Sequence, residues 1–187
     1  MIIKSPSPFG IDISIQNFQK RLHDALITEW GLDGDSMIDY LCYDRCYRNQ
    51  RKDGFIPEVY SLNGEYKEVL IDDKVKVLSF FGIGSTSNYI KDEHLNESTV
   101  HLLFFVNLKA LKSVTTRPDE LIRQEIQSLC EAEFNGMELT SIQIGIDNIL
   151  TEYTGADKLI KFRDMNPFHC FRLNFNLTYD YTDHICT

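Results

Sequence analysis

The chain is poor in anything that would staple it, anchor it or bind nucleic acid. Its five cysteines (Cys42, Cys46, Cys130, Cys170 and Cys186) are odd in number and scattered. They do not make a disulfide framework, and reduced thiols in a cytosolic compartment are expected. The opening decapeptide, MIIKSPSPFG, has one basic residue, two prolines and no apolar core, which is not the make-up of a secretory leader. No apolar run approaches the roughly 18–20 residues that cross a bilayer, so no membrane partner is expected. Positive charge is the scarcer sign, with 19 Lys and Arg against 28 Asp and Glu and a net charge of −9. Non-specific affinity for DNA or RNA needs a positive surface, which disfavours nucleic acid as the main affinity partner. Internal repeats and low-complexity segments are missing too.

Constellations that carry chemistry are equally scarce. Cys42-x3-Cys46 is the one close thiol pair, and structural zinc wants a second pair at similar spacing. His169 beside Cys170 points to the opposite face of a strand, so the two cannot chelate together. Residues 82–87, GIGSTS, follow a strand but lack the lysine and the prompt helix of a phosphate loop. Asp33-Gly-Asp35 and Asp72-Asp73 lack the further ligands of a calcium loop. A nucleophilic Cys170 or Cys42 served by His101 would need proximity that no motif announces, and His101 on an apolar strand reads first as a hydrogen-bonded structural histidine. The expectation is a protein with no catalytic residues, no metal and no cofactor.

What is present is aromatic and β-branched. Aromatics make up 12% of the chain, which suits a sheet-rich fold. Two runs stand out: residues 74–82, KVKVLSFFG, and 99–108, TVHLLFFVNL. Both are bounded by turn formers, and both are too apolar to leave a whole face in water. They read as central strands of one sheet covered on each side. The polar stretch between them, 84–98, reads as a projecting loop.

The rest of the chain fits around them. Residues 1–12 read as an extended arm, since Pro6 and Pro8 bias their predecessors away from helix. Residues 15–30 predict a helix with Ile15, Phe18, Leu22, Leu26 and Trp30 on its buried face, capped by Ser14 or Asp12, and with Gln16, Lys20, Asp24 and Thr28 in water. Residues 36–49 read as a turn leading into a strand. Asn63-Gly64 between 55–61 and 66–70 is a strong hairpin signal. Residues 117–134 predict a second helix, with Thr116 as its cap and Leu121, Ile122, Ile126 and Leu129 as its buried stripe. Residues 140–150 and 169–181 alternate as strands, the latter with one face buried and one polar. The connector between them has a short helical turn near 156–161. The fold class is α+β: a single domain over 1–187, with a twisted, mostly antiparallel sheet and two main helices on one side.

Two places read as contact surfaces. The basic cluster within 43–52 (YDRCYRNQRK) offers Arg45, Tyr47, Arg48, Arg51 and Lys52, residue types that interfaces favour. The loop offers Tyr89, Lys91, Asp92 and Glu93. The stretch 47–81, YRNQRKDGFIPEVYSLNGEYKEVLIDDKVKVLSFF, with the strand and helix pattern after it, resembles small neck and tail-completion proteins of tailed bacteriophages, especially phages of gut Bacteroidetes. The order of an amphipathic helix, a sheet, a second helix and a final alternating strand, FRLNFNLTYDY, is similar to that of tail-terminator proteins. The resemblance implies a structural virion protein, assembled in the bacterial cytoplasm, whose copies form a homo-oligomeric ring. The implied partners are other copies and the adjacent portal, neck or tail proteins, and DNA passes through the ring without sequence-specific binding. An acidic lining would let DNA pass without gripping it. The alternative is a non-catalytic module that docks a partner through the 45–52 patch.

Overall fold

A computed structural model of the chain describes residues 1–61, 65–111, 117–132, 134–156 and 167–180. In chain order the elements are β1 (Ile2–Ile3), α1 (Ile11–Trp30), β2 (Tyr40–Arg51), β3 (Gly54–Ser61), β4 (Glu65–Glu68), β5 (Val77–Ile90), β6 (Leu95–Asn107), α2 (Leu108–Leu111), α3 (Asp119–Cys130), β7 (Met137–Ile144), α4 (Ile146–Ile149) and β8 (Phe168–Asp180). One open sheet runs in the order β4-β3-β2-β5-β6-β8-β7, with β1 beside β2. Every pairing is antiparallel except β1 with β2 and β2 with β5. The fold is thus α+β, and the two apolar runs lie at the centre of the sheet, Val77 opposite Val106 and Phe81 opposite Leu102.

Alternation of side chains gives β5, β6 and β8 two apolar faces, and each is covered. On one face Phe81, Leu102, Phe104, Phe171 and Phe175 meet α1 and α3. Ile11, Ile15, Phe18, Leu22 and Leu26 recur at helical spacing along α1 and are buried. Ile122, Ile126 and Cys130 do the same along α3. The two helices are tied by Trp30 Nε1, which donates to Glu125 Oε2 at 2.7 Å. On the other face Phe80, Leu103, Phe105, Phe168 and Cys170 are covered by Ile146, Ile149, Leu150 and Tyr153 and by Val59, Val69 and Val75.

Several expectations need correcting. The stretch 84–98 is not a loop: β5 continues to Ile90, β6 begins at Leu95, and only 91–94 turn. Apolar density marks where a strand is buried, but the backbone ladder does not require it. Here Asn88 pairs with Glu97, and β6 is braced along its outer half by β8, with Leu95 opposite Asp180. The arm is shorter than 1–12. Ile11 and Asp12 belong to α1, which starts after Gly10 at φ 54 and has no side-chain cap. Gln16 is buried against the arm instead of facing water. Leu121 is 50% exposed, because the stripe of α3 follows Ile122, Ile126 and Cys130. The 140–150 strand ends at Ile144. Gly145, at φ 94, turns the chain into α4, so that Ile146 and Ile149 cap the second face while Ile144 stays 42% exposed. The Thr116 cap, the Asn63-Gly64 turn and most of the 156–161 turn lie outside the described residues.

Phe104 is fully buried and stacks on Phe171 with centroids 5.3 Å apart. Phe104→Ala is expected to cost ~3–5 kcal/mol in urea unfolding. Leu121→Ala is expected to change stability by less than about 0.5 kcal/mol, and equal losses would mean that α3 is turned the wrong way.

Candidate functional site

β2 is the strand that changes company. Its first half runs parallel to β5, with Tyr40 opposite Val77 and Arg45 opposite Phe81, and the register shifts between Cys42 and Arg45. Beyond the shift it pairs with β3, from Cys46 opposite Val59 to Arg51 opposite Gly54. The predicted basic patch lies on this second half. Arg45 reaches Asp12 at 3.5 Å and sits 4.7 Å over the Tyr47 ring. Arg48 lies 4.4 Å over Phe55. Arg51 contacts the buried Glu58 and lies 3.5 Å from Glu68. Tyr47 meets Tyr66 edge-on at 5.9 Å, and Lys52 occupies the β2–β3 turn. Three of the four cations, Arg45, Arg48 and Arg51, therefore have partners within the fold, and the patch is an Arg–Tyr surface more than a free positive field.

The second predicted group sits at the end of the β5–β6 ribbon. Lys91, Asp92 and Glu93 form its turn, and Tyr89, 52% exposed, precedes it. From Ser85 to Tyr89 every β5 residue is exposed. β2 leaves β5 at Phe81, so this outer part has β6 as its only strand neighbour among the described residues. Between the pairs Ile83–Val100 and Ser87–Ser98, β5 takes four steps where β6 takes two. That bulge sits at Gly84, where a Cβ would come within 3.2 Å of Thr99 Cβ, and it marks where β5 passes from a strand paired on both sides to the exposed edge beside β6, which β8 still pairs on its other side. The patch and the ribbon turn are separate surfaces.

Sequence reading missed a buried polar network on the second face. Arg172 and Asn174 on β8 belong to the half of the alternation expected to face water, yet both are buried. The reason is Glu152, delivered by the segment after α4. Its Oε1 lies 3.0 Å from His101 Nε2 and accepts from Arg172 Nη2 at 3.2 Å. Arg172 Nε donates to Asn174 Oδ1 at 2.6 Å, and Asn174 Nδ2 donates to Ser141 Oγ at 3.0 Å. His101 Nδ1 lies 2.9 Å from both Arg172 Nη2 and Asn174 Oδ1. Burial pushes the Glu152 carboxyl up, but His101 and Arg172 outweigh it and leave it below the usual range. The network ties β6, β7 and β8 to their cover and hydrogen-bonds His101 within it.

The four described thiols, Cys42, Cys46, Cys130 and Cys170, are all buried. Burial pushes Cys170 and Cys130 up to about 12, and Cys42 and Cys46 are also raised by burial. Cys170 is opposite Phe105 and His101 opposite Asn174, so the two do not face each other across the ladder. No group of His, Cys, Asp and Glu among the described residues is arranged to hold a metal. A groove of 680 Å³ is lined by Met37, Ile38, Leu41 and Tyr43 together with the charged Lys67, Glu68, Asp72, Asp73 and Lys74.

A third feature is the seat of the arm. Asp44 on β2 is buried and accepts from Ser5 N at 2.6 Å and from Gln16 Nε2 at 3.2 Å. Burial outweighs both donors and raises its pKa from 3.8 to about 6. A carboxyl whose folded pKa lies above its unfolded value holds its proton more tightly when folded. Its contribution is therefore full below about pH 4 and lost as pH rises through 6.

Two tests follow from this geometry. Between pH 4 and pH 7 the stability of Asp44→Asn is expected to rise relative to the parent chain, by up to about 3 kcal/mol. Urea titrations at the two pH values would reveal it, and a constant difference would rule out the buried carboxyl. Glu152→Ala leaves Arg172 without its counter-charge and is expected to cost about 2–4 kcal/mol. A loss under about 0.5 kcal/mol would mean that the network does not hold the second cover in place. In comparison with known proteins, no family model and no curated protein matches this chain.

Proposed function

We propose that this chain is a structural subunit of a tailed-phage virion, one copy in a ring of the head–tail neck or tail-completion assembly. The observation that carries the reading is the outer β5–β6 ribbon. Ordering a residue costs about 1–2 kcal/mol of backbone entropy, and burial normally offsets it. In the ribbon Ser85 to Tyr89 are exposed, and the turn ends in Lys91, Asp92 and Glu93. Ordered structure outside a core suits a surface made for a neighbour. The resemblance of 47–81 and of the element order to neck and tail-completion proteins names the kind of neighbour: other copies, and portal or tail components above and below. The net charge of −9 suits a channel through which DNA slides without being held. No helix among the described residues is long and apolar enough to cross a membrane. Docking of an unrelated partner through the 45–52 patch is the weaker reading, because Arg45 and Arg51 already pair with Asp12, Glu58 and Glu68.

Replacing residues 88–97 by a short Asn-Gly turn closes Ser87 onto Ser98, which already face each other with Oγ atoms 2.9 Å apart. The shortened chain is expected to fold, with the circular dichroism of the parent, and to lose assembly. Light scattering and negative-stain imaging of the parent chain, alone and with portal or tail components, supply the comparison. Rings by the parent and none by the variant support the reading. A parent that stays monomeric and binds no such component sinks it.

A further inference from the structure

The first residues of the chain lie in a slot made by two other elements. β1 adds to β2 in parallel, Ile2 opposite Cys42 and Ile3 opposite Tyr43. Cys42 N donates to Met1 O at 3.0 Å. Ser5 N donates to Asp44 Oδ2, and Gln16 Nε2 donates to Ser5 O at 3.0 Å. Asp44 and Gln16 are buried polar side chains, one from β2 and one from α1, and both turn to the arm. β3 pairs with β2 only from Cys46 onward, so the β2 edge around Cys42 and Tyr43 would be open without an added strand. An open edge of this kind must be covered by something extended.

The connection from this seat to the body is Pro6-Ser7-Pro8-Phe9-Gly10. The linker bends at Pro6 and Ser7, and Gly10, at φ 54 and ψ −121, turns the chain into α1. At about 3.1 Å per residue, the six steps from Ser5 to Ile11 reach roughly 19 Å. β1 itself pairs over two residues, and Ile2 and Ile3 are only half-buried. Met1 N adds hydrogen bonds to Tyr40 O at 2.5 Å and to Ser36 O at 3.4 Å, so the seat is specific in its hydrogen bonds but confined to five residues, a segment small enough to open without unfolding the body.

We propose that the arm is exchanged between copies, residues 1–5 of one chain filling the slot on β2 and α1 of a neighbour. The occupant follows from the slot: its backbone ladder and the Asp44 carboxylate are already complementary to this segment, and every contact is the same whichever copy supplies it. Drawn out, the linker is long enough for the arm to reach the same slot on a copy seated beside it. Passed from each copy to the next, the arm makes a heterologous contact that closes into a ring; given reciprocally, it makes a closed dimer. The proposal rests on the self-assembly reading above only in requiring a second copy within the linker's reach.

The test uses Ile3 and Tyr43, which are paired and pack in the same cluster. Ile3→Cys and Tyr43→Cys chains are co-expressed, purified, mildly oxidised and run on a non-reducing gel. Exchange gives a covalent species containing both chains, which neither variant gives alone. The double variant in one chain reports whether the two positions are close enough to bond. A within-chain disulfide in the double variant with no mixed species overturns exchange, and no disulfide in either arrangement overturns the seat itself. A chain lacking residues 1–7 is also expected to bind a synthetic peptide of residues 1–9, at least tenfold more weakly with Asp44→Ala, and equal binding to both overturns the slot. Rings without the mixed species would retain the self-assembly reading and remove exchange. Mixed species that never exceed dimers would retain exchange and remove the ring.

Discussion

The fold depends on one constraint: the β5–β6–β8 ladder is apolar on both faces, and both must be kept from water. β6 and β8 pair without interruption from Leu95–Asp180 to Asn107–Phe168, and the inner half of that ladder is buried on both sides. One face recruits α1 and α3, whose stripes match it. The other, among the described residues, has no long helix and is covered piecemeal, by one turn of helix, a connector and the β3–β4 hairpin. A piecemeal cover cannot exclude polar groups, and the network of His101, Glu152, Arg172 and Asn174 stands where the apolar cover ends. Removing one charge from such a buried set is far more costly than never having built it.

How much of this was legible depended on whether burial and backbone pattern coincide. In α1 they do: Ile15, Phe18, Leu22 and Leu26 recur at helical spacing, and the helix lies where they put it. The same holds for the inner half of β5 and for the alternation of β8. Where the two separate, sequence reading fails. Ser85, Thr86, Ser87 and Asn88 carry no apolar signal, yet they form a strand, because a ladder with β6 needs only backbone groups. Arg172 and Asn174 look solvated because alternation does not reveal that Glu152, some twenty residues earlier, will fold over them. Ile144 and Leu121 show the converse, apolar side chains left in water because a glycine or a turn of helix aims their neighbours inward. The predicted contact residues fall into two distinct groups, and the seat of the arm, through Asp44 and Gln16, carried no signal beyond two buried polar residues in otherwise ordinary segments.

The chain thus keeps its buried ladder and its exposed margins separate. The outer ribbon, the β2–β3 hairpin and the arm lie at its margins, each marked by a local irregularity: the bulge at Gly84, the register shift after Cys42 and the turn at Gly10. Irregularities of this kind set direction without disturbing the core.

The position of β8 has a consequence for how the protein comes into being. It is the last described strand in the chain, yet it lies between β6 and β7 inside the sheet. Until it leaves the ribosome, β6 has an apolar open edge and β7 has no strand to join. About seventy residues separate the end of β6 from the end of β8, which at ordinary elongation speeds amounts to roughly 4–14 s of synthesis. During that interval the nascent chain exposes its stickiest edge, and long-range pairing of this kind is slow even afterwards. Translation speed between the codons of β6 and β8, and the holding chaperones present during it, therefore bear directly on how many chains reach the folded state.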